Sequence, residues 1–128
     1  MPQQPQPPGG ICSINAVTLR TGDMAACIAF YQALGMKITF GGPGARFTTL
    51  SAGDCHVNLS AALVVSAEPF PGRIVFHVDD VDALYERVRA AGYTPETAPA
   101  DAPWGERFFH IRDPSGHELS FARPLVEA

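Results

Sequence analysis

Two histidines and one carboxylate, His56, His77 and Glu118, form a set with the donor chemistry of a divalent-metal site. His77 and Glu118 alone could instead move a proton to and from a substrate as acid and base. Arg73 carries a planar guanidinium whose fork matches a carboxylate or phosphate on a ligand, or the side chain of Glu118 as a salt bridge. Trp104, the single tryptophan, offers a flat face for a planar ligand or for ordinary packing. Thr18, Asn58 and Ser120 add neutral oxygen and amide groups. These residues are scattered along the chain, so any shared chemistry depends on the elements that would gather them.

Those elements come from an internal repeat. The stretch 14–35, INAVTLRTGDMAACIAFYQALG, superposes without a gap on 71–92, PGRIVFHVDDVDALYERVRAAG, at an offset of 57 residues, as from Asp23 to Asp80. Each copy runs from an apolar-rich segment to an Asp, a helical stretch and a closing Gly. Asp23 and Asp80 suit helix N-caps, because an acceptor side chain there satisfies amides of the first turn. Met24, Cys27, Ile28 and Tyr31 share one helical face, as do Val81, Leu84, Tyr85 and Val88. Gly35 and Gly92 stand where a left-handed cap ends the helix.

Three strands are expected after each helix: Lys37–Phe40, Arg46–Leu50 and Cys55–Ser60, then Thr94–Thr97, Arg107–Arg112 and His117–Ala122. The last two of each half meet at the turns Ser51-Ala52-Gly53-Asp54 and Asp113-Pro114-Ser115-Gly116, where His110 and His117 read as solvated or turn-bonded. Aligning the turns raises the offset to 62 residues, as from Ser51 to Asp113, with the extra length in the Pro-rich loop Ala98–Gly105. Strand alternation then divides two faces. Val17, Leu19, Val57, Leu59, Ile74, Phe76, Val78, Leu119 and Phe121 form an apolar face for the helices. Thr18, Arg20, His56, Asn58, Arg73, His77, Glu118 and Ser120 form a polar one, broken by Ala16, Val75 and Ala122.

Two βαβββ units, Phe30-Tyr31 before Leu34-Gly35, the junction Val78-Asp79-Asp80-Val81, and the hairpin Pro103-Trp104-Gly105 to Arg112-Asp113-Pro114-Ser115-Gly116-His117 together resemble the vicinal oxygen chelate superfamily. That superfamily includes glyoxalase I, extradiol dioxygenases, fosfomycin-resistance enzymes and the metal-free bleomycin-resistance proteins. The resemblance covers about Cys12 to Pro124. It implies an α+β fold of two tandem βαβββ modules, residues 11–66 and 67–128 in one compact domain. Curved mixed sheets would enclose a concave cavity, with the helices outside.

The resemblance also places the superfamily's metal ligands at Ala16, Asn58, Arg73 and Ser120. Alanine has no donor atom, a guanidinium has no lone pair, and Asn and Ser are weak neutral donors. The expectation is therefore no metal and no cofactor. A displaced site of His56, His77 and Glu118 would stand two residues out of step, roughly 6–7 Å, if the neighbouring strands run antiparallel. The leading expectation is binding of a small organic molecule, such as an antibiotic or metabolite held by sequestration, in a homodimer. The alternative is a lyase, isomerase or dioxygenase-like enzyme using the displaced residues. A third reading makes the dimer surface the function.

Composition narrows the partners. The chain has 128 residues, 46% hydrophobic and 17% charged, enough for a packed core. Its net charge of −4 leaves no basic face for nucleic acid. Apolar runs such as Ala61–Val65 are too short to span a membrane. Residues 1–10, MPQQPQPPGG, lack a signal-peptide pattern and read as a disordered tail. Three cysteines without CxxC spacing read as small buried thiols in a cytoplasmic chain.

Overall fold

The structure, a computed structural model, describes residues 8–62, 69 and 71–126. The expected tail lies mostly outside the described residues, as does the expected boundary between residues 66 and 67. The first half runs β1 (Ala16–Arg20), α1 (Met24–Ala33), β2 (Lys37–Phe40), β3 (Phe47–Ala52) and β4 (Cys55–Ser60). The second runs β5 (Arg73–His77), α2 (Val81–Ala90), β6 (Ala100–Asp101), β7 (Glu106–Arg112) and β8 (Glu118–Pro124). Each half builds one open four-stranded mixed sheet, in the orders β1-β4-β3-β2 and β5-β8-β7-β6. The α+β fold of tandem βαβββ modules is therefore present.

Local chemistry explains the helices. Asp23 accepts from the Ala26 amide and Asp80 from the Ala83 amide, each at 3.0 Å. Gly35 and Gly92 take φ of +99° and +96°, a region that side chains rarely adopt, and end the two helices. Met24, Cys27, Ile28 and Tyr31 from α1 and Val81, Leu84 and Val88 from α2 are buried against the apolar sheet faces.

Three expectations are corrected. Thr94–Thr97 is not a strand, and the edge strand is the two-residue β6, inside the segment expected to be a loop. Pro95 and Pro99 have no amide hydrogen to donate, so the ladder there consists of Glu96 N to His110 O at 2.8 Å, with a longer bond from Thr97, until β6. The strands β5 and β8 pair in parallel, as do β1 and β4, not antiparallel as the displaced metal site requires. Cys12 is exposed, whereas Cys27 is buried and Cys55 half-buried; all three are free thiols.

Candidate functional site

The repeat is kept in the strand registers. Ala16 pairs with His56 across β1 and β4, and Arg73 pairs with Glu118 across β5 and β8, at the offsets 57 and 62 seen in the sequence. In the first sheet Asn58 forms the centre of the polar face. Its Nδ2 donates to Thr18 Oγ1 at 3.2 Å, and its Oδ1 accepts from Thr49 Oγ1 at 2.7 Å. His56 is half-buried on the same strand.

In the second sheet, Nε and Nη2 of Arg73 both donate to Glu118 Oε1, at 3.0 and 2.5 Å. Arg112 lies 3.9 Å from Glu118 Oε2 and donates from its Nε to Glu96 at 3.1 Å. Four charges thus form a chain, Arg73, Glu118, Arg112 and Glu96, that sums to zero. The Arg73 hydrogen bond is the main cause that holds the Glu118 carboxyl below its ordinary range. Ser120, at the next position of this face, is buried, whereas His77 is exposed.

Beside the charges runs a row of rings. Phe108, His110 and Arg112 of β7 stand opposite Ala122, Ser120 and Glu118 of β8, so they share the polar face. Trp104 stacks on Phe108 with centroids 5.7 Å apart, and Phe108 meets His110 at 5.0 Å. Trp104 is 70% exposed, and its Nε1 donates to Glu106 at 2.8 Å. Burial, and after it the Arg73 guanidinium, holds His110 below the ordinary imidazole range. Trp104 stands out in the sequence, but Phe108 and His110 were not expected as its neighbours. The alternating pattern of RFFHIR held that signal.

The metal test fails on donor chemistry. Among the four positions to which the resemblance assigns the superfamily's ligands, Ala16 has no donor, Arg73 is a cation engaged with Glu118, Asn58 is engaged with two hydroxyl groups, and Ser120 is a neutral hydroxyl. The displaced set is not gathered either. Parallel pairing matches Glu118 with Arg73 and His77 with Ala122, four residues on, or about 13 Å at the usual rise of roughly 3.3 Å per residue. His56 belongs to the other sheet. Among the described residues no group of three His, Cys, Asp or Glu side chains could hold an ion.

A second constellation has no signature in the sequence. Asp113 Oδ2 accepts from the Tyr31 hydroxyl at 2.6 Å, and its Oδ1 accepts from the amides of Ser115 and His117, both at 2.9 Å. Ser115 Oγ donates to Thr21 Oγ1 at 2.9 Å, and Cys27 Sγ lies 3.1 Å from Thr21 Oγ1 and 3.2 Å from Ser115 Oγ. His117 Nε2 donates to the Arg20 carbonyl at 2.7 Å, so this histidine is buried in a tie between the halves and not solvated. Burial raises the Cys27 thiol; burial and the Asp113 charge raise the Tyr31 hydroxyl, which stays protonated as a donor. The cluster is saturated with its own bonds, so it joins the halves and offers no donor to a ligand.

Two βαβββ units with helices on one side and a polar, partly aromatic sheet face on the other define a class of paired-module proteins. The model of the Glyoxalase/Bleomycin resistance protein/Dioxygenase superfamily matches residues 13–121, and the chain belongs to that superfamily. The Mycobacterium bovis protein Mb0911c is 42% identical over 57 residues, 44% of this chain and 38% of its own length. The chain thus matches less than half of that relative. A Mycolicibacterium smegmatis protein is 33% identical over 114 residues, 88% of this chain and 94% of its own. The crystal structure of a bleomycin-binding protein complexed with bleomycin has a TM-score of 0.70 at 22% identity, covering 88% of this chain and 98% of that one, which is a likeness of fold.

Proposed function

We propose that the polar face of the second sheet binds a small planar organic molecule without a metal, and holds it without converting it. The observation that carries this reading is a row of rings, Trp104 stacked on Phe108 and Phe108 tilted against His110, beside the guanidinium groups of Arg73 and Arg112. An exposed stacked tryptophan is costly to leave facing water unless something covers it. The ring of the ligand would lie on Trp104, and a polar or acidic group would share the Arg73 guanidinium with Glu118. His77 and Ser120 would supply further polar contacts on the same sheet, while Thr18, His56 and Asn58 form the equivalent face of the first sheet. The likeness of fold to the bleomycin-binding protein supports sequestration of an antibiotic or metabolite as the biological use.

The enzyme alternative asks His56, His77 and Glu118 to converge, and the parallel register gives that no support. We further propose a cytoplasmic homodimer whose two polar faces are completed across a two-fold axis. Its support is the exposed apolar side chains Phe40, Phe47 and Val75 on the sheets. No helix among the described residues is long and apolar enough to cross a membrane.

The test is a thermal-shift screen of metabolites and antibiotics, followed by fluorescence titration on the single tryptophan. Loss of the charge-assisted bond in Arg73→Ala should weaken a hit by roughly ten-fold to a hundred-fold. Elemental analysis should find less than about one tenth equivalent of any transition metal, given the donor set. Affinity unchanged in both Arg73→Ala and Trp104→Ala would remove this face from the function.

A further inference from the structure

The two hairpin turns meet the opposite half at equivalent places, but only one of these junctions is filled by the chain itself. The turn after β7 inserts Asp113 and Ser115 against Thr21, Cys27 and Tyr31. Under the repeat these positions become Ser51 and Gly53 on the turn after β3, and Val78, Leu84 and Val88 at α2. The carboxylate is replaced by a hydroxymethyl group, a side chain is lost at Gly53, and the phenol ring becomes an isopropyl group. A methyl carbon added at Gly53 would meet nothing within 4 Å. Only Leu84, in place of Cys27, is larger, and beside these groups lies a cleft of about 190 Å³ between the turn, the end of α1 and the start of α2.

We infer that this cleft is a second binding site, which shares only His77 with the polar sheet face, for a compact neutral ring compound with one hydroxyl or amide group. Its inner wall is apolar, made by Leu34, Phe76, Val78 and Leu84. Its lining contains no carboxylate, ammonium or guanidinium group, and the imidazole of His77 is its one titratable side chain. A cationic occupant would meet no carboxylate in the lining, and an anionic one no permanent cation. The outer wall is the turn, where Ser51 and the backbone at Gly53 offer polar atoms. The occupant therefore has an apolar side towards α2 and one hydrogen-bonding group towards the turn. A dry cavity of about 150 Å³ accepts benzene, so this volume suits roughly six to nine non-hydrogen atoms. In the other junction the chain's own Asp113 and Ser115 side chains occupy the corresponding space. The inference stands whether or not the sheet face binds anything.

The experiment is a methyl-resolved NMR titration of the wild-type protein with benzyl alcohol and, separately, benzoate. Saturable shifts centred on the methyl groups of Leu34, Val78 and Leu84 are expected for benzyl alcohol, with benzoate at least ten-fold weaker. Ala52→Phe and Val78→Phe each fill the cleft and should abolish those shifts while a cooperative melt is kept. Equal binding of the two probes, shifts that do not saturate, or shifts centred on Trp104 would overturn the site in the wild type alone. Undiminished binding in either filled variant would overturn it as well.

Discussion

The two junctions between the halves begin from one repeat and end in opposite chemistry. At the turn after β7, a carboxylate, two hydroxyls, a thiol, a phenol and an imidazole come together, all buried but the half-buried Ser115, each with a hydrogen-bond partner. At the turn after β3, the equivalent positions are apolar or small and leave an open cleft. The strand pairing stops at different points too. Ala52 and Cys55 still pair in the ladder, whereas the ladder of the second half ends at Arg112 and Glu118, with Asp113 bonded to His117 beyond it. The turn left outside the ladder reaches α1 and closes its junction. A repeated fold can thus keep its strand registers while it assigns cohesion to one junction and space to the other.

Breaking the filled junction should have the largest effect. Asp113→Ala strands the Tyr31 hydroxyl and the amides of Ser115 and His117, and should cost about 2–4 kcal/mol in denaturant unfolding, given about 1–3 kcal/mol for an unsatisfied buried group. Ser51→Ala at the open junction should cost about 0.5 kcal/mol or less, since nothing equivalent is stranded. Similar losses in the two variants would mean that the asymmetry is not energetic.

Tyr31→Phe removes one donor and leaves the Asp113 carboxylate otherwise bonded, so about 1–2 kcal/mol is expected by the same measurement. The helix caps should behave alike in both halves. Asp23→Ala and Asp80→Ala should each cost about 1 kcal/mol, because each aspartate accepts one amide in the same geometry. A large difference between them would show that the halves diverge in their helices as well as their turns.

The smallest effect concerns acid. Glu118 is held below the usual carboxylate range, chiefly by the Arg73 hydrogen bond. Its folded state therefore binds fewer protons than the unfolded chain, so its contribution is present above the ordinary range and lost as pH falls through the lowered one. The side chains are partly exposed, which limits the size. In Arg73→Ala, an NMR titration should find the Glu118 carboxyl moved up towards the ordinary range. The first half pairs Ala16 with His56 at this place, so no guanidinium–carboxylate pair stands there.

Much of the fold is legible in the sequence. The N-caps, the closing glycines, the two helix faces and five of the six expected post-helix strands are local patterns, and all are present to within a residue or two. No strand forms at Thr94–Thr97, where Pro95 removes a donor and Pro99 follows two residues on, a signal that the sequence carries and the repeat outweighs. The parallel pairing of β5 with β8 is not legible, and with it goes the expected proximity of His77 to Glu118. Alternation gives the face of a residue and says nothing of strand direction or pairing register.

The sequence by itself determined both helices, most of the strands and which face of each is apolar. These follow from side-chain chemistry and from periods of two and three to four residues, which act within one element. Only the tertiary structure decided that Arg73 engages Glu118, that Trp104 stands in line with Phe108 and His110, and that His117 is buried. It alone brought Tyr31 to Asp113 and Thr21 to Ser115 across separations of 82 and 94 residues. No periodicity links positions so far apart, and their meeting is set by how two packed halves bury their shared boundary.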